Sequence, residues 1–320
     1  MHSDTQHNPH CSEHTHDHEH STGQPGHTYP QGHDHAPRHG HNHHEHCGHK
    51  HHHHGHHGKD GHAHDLEAVD SGTLLVIRPF TGMAGDIMAA GLAGLLGADQ
   101  QLLDSLVAAI GIPELAPGSF AVAPHMVNEV SGLIGRVSLP HEHAHRTFKD
   151  IRAIIRASTL EDPAKDLAEK AFRLIAEAEA AVHGKDIDEV RFHEVGALDS
   201  ILDICLGAAL FTHLAPQRFI CGPLPLCDGV IHCAHGQIPA PAPAVLRLLH
   251  GVPVRGIPGA GETVTPTGLA LLKAFGAEFG PWPAFTLERE CLAYGNRVFP
   301  DTPNGAIFAF GSQRIAMRRP

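Results

Sequence analysis

Aromatic residues are scarce in this chain: 5% of 320 residues, with one Trp and two Tyr. So few rings give little surface for stacking bases, which argues against a single-strand nucleic-acid platform. Basic residues are also short. There are 23 Lys and Arg against 35 Asp and Glu, a net charge of −12 with histidine neutral. A general nucleic-acid binder needs the opposite balance. Long apolar runs are missing too. The stretch Ile204–Leu214 falls short of the about 20 residues that span a bilayer. The N-terminus is polar and shows no apolar signal core. The seven cysteines (Cys11, Cys47, Cys205, Cys221, Cys227, Cys233, Cys291) are odd in number and follow no framework spacing, so a disulfide scaffold is excluded. These absences lead to an expected soluble, cytoplasmic protein with neither a membrane nor a nucleic-acid partner.

What the chain has in excess is histidine. Of 34 histidines, 24 fall in the first 64 residues and 10 in the remaining 256. Residues 1–65 hold almost no aliphatic side chains, so nothing there offsets the entropy of folding, and a disordered arm is expected. Runs such as His14-Thr15-His16-Asp17-His18-Glu19-His20 and His51-His52-His53-His54 set imidazoles beside carboxylates, and Cys47 sits among His43, His44, His46 and His49. The segment is too long and too mixed to be a purification tag alone. A solvated spacer is the bland reading. The functional one is a multi-site reservoir for a borderline divalent metal such as Ni, Zn or Cu. Ligation needs neutral imidazole, pKa about 6.5, so binding should weaken as pH falls.

From residue 73 the pattern becomes globular. Thr73–Arg78, Phe120–Val122, Leu133–Leu139 and Val190–Val195 read as strands. Ile87–Leu96, Gln101–Ile110, Leu160–Val182, Ala197–Leu214 and Thr267–Phe279 read as helices. The helix over 160–182 places Leu167, Ala171, Leu174, Ile175, Ala178 and Val182 on one face. Thr265-Pro266 starts the last helix, Thr as cap and Pro at its first position. Alternating strands and helices predict an α/β or α+β class, a mixed sheet with packed helices. The domain reading is 1–65 as the arm, 70–285 as the core, and 286–320 as a short C-terminal extension.

Four stretches carry candidate chemistry. Phe80-Thr81-Gly82-Met83-Ala84-Gly85-Asp86 joins a strand to a helix. Gly82 and Gly85 would let backbone N–H groups approach an anion, or Asp86 could hold a cation. A tight turn with Asp86 complementing the helix dipole explains it as well, and it is neither a Walker loop nor a full dinucleotide fingerprint. Second, in His193-Glu194-Val195-Gly196-Ala197-Leu198-Asp199-Ser200-Ile201-Leu202-Asp203, Asp199 and Asp203 share a face of an otherwise apolar helix. Buried carboxylates there want a cation or a hydrogen-bond donor. With His193 and Glu194 adjacent, the stretch reads as a divalent-metal or metal–phosphate site, although neighbouring strand residues face opposite sides. The alternative makes Asp199 a cap and Asp203 a solvated residue. Third, His232, Cys233 and His235 put three borderline-to-soft ligands within four residues, suited to Ni or Zn but in no standard zinc spacing. A core His and Cys beside a Pro-stiffened loop is the equal alternative, and Pro243 can start the next helix. Fourth, His141, His143 and His145 form either a second metal-handling patch or a solvated loop.

Taken together these stretches resemble the LarC family of nickel insertion proteins. The resemblance rests on FTGMAGD (80–86), DIRAII (150–155), IAEAEAAVH (175–183), FHEVGALDSILD (192–203), PLPL (223–226), CAHGQIPAPAPA (233–244) and VTPTGLALL (264–272), in the family's order. It implies a lyase of the cyclometallase type. Such an enzyme inserts nickel into pyridinium-3,5-bisthiocarboxylic acid mononucleotide, driven by CTP with Mg²⁺ or Mn²⁺, to give the nickel-pincer nucleotide. It also implies nickel loading by the His-rich arm and a homo-oligomer. His193, Glu194, Asp199, Asp203 and His235 are the residues expected to converge as ligands and base. Three departures stand out. Arg78 occupies the place of an Asp before the Gly turn, Arg191 that of a His, and the chain ends where full members continue into an acidic C-terminal domain. That domain, as a separate chain, is the expected partner for the CTP step. A non-catalytic nickel chaperone or store is the alternative. A zinc hydrolase is weaker, for want of a three-ligand signature.

Overall fold

The computed structural model describes residues 70–140, 146–192, 195–233 and 236–315. The His-rich segment with His51, His52, His53 and His54, the histidines of 141–145, and His193, Glu194 and His235 lie outside the described residues.

The aliphatic run at 74–77 builds β1 (Asp70–Pro79). Leu74, Leu75, Val76 and Ile77 are all fully buried, so the strand is covered on both faces, as an interior strand is. It pairs antiparallel with β11 (Ala306–Ile315) and parallel with β4 (Arg218–Cys221). The remaining strands of this sheet are β2 (Phe120–Val127), β3 (Val130–Val137), β9 (Glu278–Phe279) and β10 (Thr286–Tyr294). The order is β2-β3-β10-β11-β1-β4-β9, with parallel and antiparallel neighbours, so the expected mixed α/β sheet is what the chain forms. Two small sheets stand apart. One is a parallel pair, β5 (Leu224–Asp228) with β8 (Val254–Ala260). The other is a hairpin, β6 (Val230–Cys233) with β7 (Gly236–Pro239).

The helices are α1 (Gly85–Leu96), α2 (Gln100–Ala109), α3 (Phe148–Ala157), α4 (Asp162–His183), α5 (Leu198–Leu214), α6 (Pro243–Leu248) and α7 (Pro266–Ala274). The main core gathers Leu75, Ile77, Phe308 and Phe310 of the sheet with the apolar sides of these helices. By strand alternation, Leu74, Val76, Ile220 and Ala309 face the other way, where only a small cluster with Phe285 covers them.

Several expectations change. Of the expected strand 190–195, the described residues 190–192 and 195 carry only a single bridge, between Arg191 and Thr147, after a 3-10 turn at Ile187–Glu189. The buried face of α4 is not centred on the leucines. Ala164, Ala168, Ala171, Phe172, Ile175 and Ala176 are buried while Val182 is exposed. The small residues let α5, α6 and α7 approach closely. The last helix stops at Ala274, two residues before Gly276 turns the chain at φ 76. The described part of the expected extension, residues 286–315, is not an appendage to a core ending at 285. It supplies β10 and β11, and β11 lies beside β1 inside the main sheet.

Candidate functional site

A cavity of about 710 Å³ opens where several helices begin. Its lining includes Ala84, Asp86 and Ile87 of α1, Asp199 and Ser200 of α5, and Thr265, Pro266 and Thr267 of α7. Three helix N-termini therefore turn their partial positive ends and first-turn N–H groups toward one space. The caps of α1 and α5 are Ala84 and Ala197, which offer no side-chain acceptor. Of these three, only α7 is capped by a side chain: Thr265 Oγ1 accepts from the Gly268 N–H (3.2 Å) and is 2.9 Å from Thr267 Oγ1.

The loop before α1 is pinned in place. Met83 N–H donates to Thr263 O (2.9 Å) and Thr265 N–H to Met83 O (3.0 Å), a one-bridge extension between Met83 and Val264. Gly82 lies against the Thr263 carbonyl and lines the cavity. Gly85 has a different role. A Cβ there would sit within the Asp203 side chain, 2.5 Å from Asp203 Cβ. This glycine is the gap through which α5 brings its carboxylate against α1.

Two half-buried carboxylates, Asp86 and Asp203, thus meet at this contact. Asp86 Oδ1 accepts from the Ile87 N–H (2.8 Å), and Asn296 Nδ2 approaches Oδ2 at 3.4 Å. Burial pushes its carboxyl up, partly offset by the backbone N–H groups of Ile87 and of Asp86 itself. Asp203 is half-buried as a residue, but its Oδ1 has no solvent contact and no hydrogen-bond partner among the described residues. Its carboxyl is raised well above 3.8, first by burial and then by the negative charges of Asp86 and Asp199. An acceptor in this state costs on the order of 1–3 kcal/mol. Asp199 is exposed at the rim, its Oδ1 taking the Ser200 N–H at 2.7 Å.

The β6–β7 hairpin supplies further lining. His232 and Cys233 both line the cavity, and Gln237 Nε2 is 3.2 Å from His232 Nε2. Phe192 and Val195, on either side of 193–194, line it as well. The cavity therefore carries oxygen donors from Asp86 and Asp203, and nitrogen and sulfur donors from His232 and Cys233. That is a donor set fit for a borderline divalent ion. Among the described residues, no three His, Cys, Asp or Glu side chains stand close enough to hold a metal by themselves. Cys205 and Cys221 take no part: both are fully buried, and burial pushes each thiol up to about 12.

Sequence reasoning missed four contributors. Glu179 and His183 on α4 line the cavity and pair at 3.3 Å. Their signal was an acid and a base four residues apart at the end of an amphipathic helix. Asn296 and Arg297, in the segment expected to begin an extension, line it too. Arg297 donates to the carbonyls of Glu262 (2.8 Å) and Ala260 and stands over Phe299.

Fold and site together define a mixed α/β protein with a carboxylate-lined ligand cavity at converging helix N-termini. The chain belongs to the nickel insertion protein family, whose pattern matches residues 75–314. It is 42% identical over 234 residues to a protein of Syntrophotalea carbinolica and 40% identical over 240 to one of Geotalea daltonii, each named "Putative nickel insertion protein". A relative of that name in Myxococcus xanthus is 42% identical over 235 residues. These matches cover 72–75% of this chain and 58–61% of the relatives, so the chain spans about three fifths of their length. No solved structure matches it. No helix among the described residues is long and apolar enough to cross a membrane.

Proposed function

We propose that the chain inserts nickel into pyridinium-3,5-bisthiocarboxylic acid mononucleotide, giving the nickel-pincer nucleotide in a CTP-dependent reaction with Mg²⁺ or Mn²⁺. The observation that carries this reading is Asp203: a buried carboxylate oxygen, without a partner among the described residues, beside Asp86 in a cavity large enough for a mononucleotide. The helix N-termini suit the substrate's phosphate. The oxygen donors of Asp86 and Asp203 suit the arriving Ni²⁺, with His232 and Cys233 as softer ligands on the hairpin. Insertion forms one Ni–C and two Ni–S bonds and expels the ring proton from the carbon that nickel attacks. Asp203 would release its own proton to solvent as Ni²⁺ approaches, and the freed carboxylate, whose proton affinity burial raises, is then suited to accept the ring proton. His193, Glu194 and His235 are candidates to complete the set, and Asp199 to bias it electrostatically from the rim. The His-rich arm would load nickel. A separate C-terminal chain of the LarC type would supply the CTP step, and the protein would act as a cytoplasmic homo-oligomer.

The density of histidine in residues 1–64 favours a second reading, a nickel store without turnover. One assay separates the two: purified chain with thiolated precursor, CTP and Mn²⁺ or Mg²⁺, with and without the C-terminal domain, and with residues 1–65 deleted. Product formation that falls by about 100-fold in Asp203→Asn is expected for the enzyme. No product under any condition, with many tightly bound nickel ions lost on deleting the arm, would leave the store.

A further inference from the structure

On the other side of the sheet from the main core, a second cavity of about 350 Å³ is lined by Arg78, Phe80, Pro223, Arg255, Trp282 and Pro303, among others. Arg78 follows Leu74 and Val76 on the thinly covered face. It sits at the C-terminal end of β1, beside the end of the parallel strand β4, where α/β sheets commonly bind ligands. Its guanidinium lies flat on Gly222: a Cβ there would meet Arg78 Cζ at 2.9 Å and Nη1 at 3.0 Å. Trp282 lies on its other flank, 5.6 Å from Arg78 Cζ to ring centroid. Arg255 reaches the same place from β8, donating through Nη2 to Pro79 O (3.1 Å) and Phe80 O (2.8 Å). Arg78 Nη1 donates to Gly280 O at 2.6 Å.

These carbonyl bonds account for where the two groups sit but not for their charge. Among the described residues neither arginine has a carboxylate partner. Arg156 and Arg218, by contrast, each hold one within 2.6 Å. In a chain with 35 acidic and 23 basic residues, an acid-free pair of arginines is conspicuous. Arg255 shows the cost: burial, and then the Arg78 charge, pull its guanidinium below the ordinary arginine value. Like charges held together without a counter-charge want an anion, and planar guanidinium groups match phosphate and carboxylate best. The volume exceeds what an inorganic oxyanion fills, and apart from Thr302 the other side chains of the wall are apolar. Trp282 is 47% exposed and stacks on Phe285 at 6.3 Å.

The geometry points to a second binding site, separate from the carboxylate-lined cavity, for a small organic anion. Its phosphate or carboxylate head is held by Arg78 and Arg255, and its flat apolar body lies along Trp282, Pro223 and Pro303. This site does not depend on the nickel reading.

Trp282 is the only tryptophan of the chain, so its emission reports this cavity alone. The full chain is titrated with phenyl phosphate, inorganic phosphate and phenol. Phenyl phosphate is expected to change the emission saturably and to bind roughly tenfold more tightly than inorganic phosphate, with phenol giving no saturable change. Arg255→Gln and Arg78→Gln should each weaken it about tenfold or more, and Arg255→Lys less, with far-UV circular dichroism unchanged. Should Arg78→Gln unfold, the Arg255 pair decides. No saturable response in the wild type, or an unchanged response in Arg255→Gln, overturns the site. Equal affinity for inorganic and phenyl phosphate overturns the ring-bearing ligand.

Discussion

Glu169 on α4 and Asp203 on α5 are both carboxylates set into helices whose inward faces are otherwise apolar, and their surroundings are opposite. Glu169 is 6% exposed and held by three arginines: Arg152 Nε at 3.0 Å, Arg156 Nη2 at 2.6 Å and Arg173 Nη2 at 3.4 Å. Asp203 has two acidic neighbours and an oxygen with no partner among the described residues. A buried acid therefore says little by its burial. Its partners tell whether the fold uses it or leaves it for something that arrives later. Glu169 ties α3 to α4 through Arg152 and Arg156, and it borders no cavity described above. Asp203 Oδ1 has no such tie among the described residues, and the side chain lines the carboxylate-bearing cavity.

Removing Glu169 is the strongest way to break the contrast. Glu169→Ala leaves three arginines clustered around a vacated site. A fully buried pair would lose about 3–5 kcal/mol, but these arginines are 46–56% exposed and can turn to water. A loss of about 3 kcal/mol, the low end, is expected in denaturant unfolding. On the proposed function, nickel insertion by the fraction that remains folded should be unchanged. A large fall in activity at full folding would put Glu169 in the site and dissolve the distinction.

Gly85→Ala tests the same contrast through packing. The new methyl group would occupy the space of the Asp203 side chain, and overpacking of this kind costs about 2 kcal/mol. Unlike Glu169→Ala, it should also abolish insertion, because Asp203 must move. Retention of both stability and activity would show that α1 and α5 are free to separate, and that the carboxylate is not held in place by that gap.

Much of this was legible beforehand, and the limits have physical causes. The aliphatic run at 74–77, the Thr265-Pro266 helix start and the apolar helix around Asp203 are local signals, and each element formed. The pairing of Asp199 with Asp203 on one helix face was also local. Their fates differ, one exposed and one sealed, because that is decided by α1 packing through Gly85, which is a tertiary matter. Glu179, His183 and Asn296 were invisible as site residues for the same reason. Only the fold brings the end of α4 and the segment after β10 to the N-terminus of α1. The two-strand contribution of residues 286–315 was missed because β10 is half polar, its outer residues exposed, so its burial depends on β11 and β3 rather than on its own composition.

Asp203→Asn is the subtlest test and the one that reverses sign. With its carboxyl raised above 3.8 by burial and by Asp86 and Asp199, the folded chain keeps a proton that the unfolded chain has released. The contribution of this group to stability is fully present below the unfolded value. It is lost as pH rises through the raised one. Asparagine has no proton to lose, and its amide brings donors where a bare carboxylate oxygen stood. At pH 8, with metal removed by chelation, Asp203→Asn should therefore be more stable than the wild type by about 1 kcal/mol, read as a shift in denaturant midpoint. The gap should close as pH falls toward the unfolded value. Added Ni²⁺ should narrow it from the other side, by stabilising only the chain that retains the carboxylate. A variant less stable than the wild type at pH 8 would mean that Asp203, like Glu169, is held by the fold for the fold's own sake.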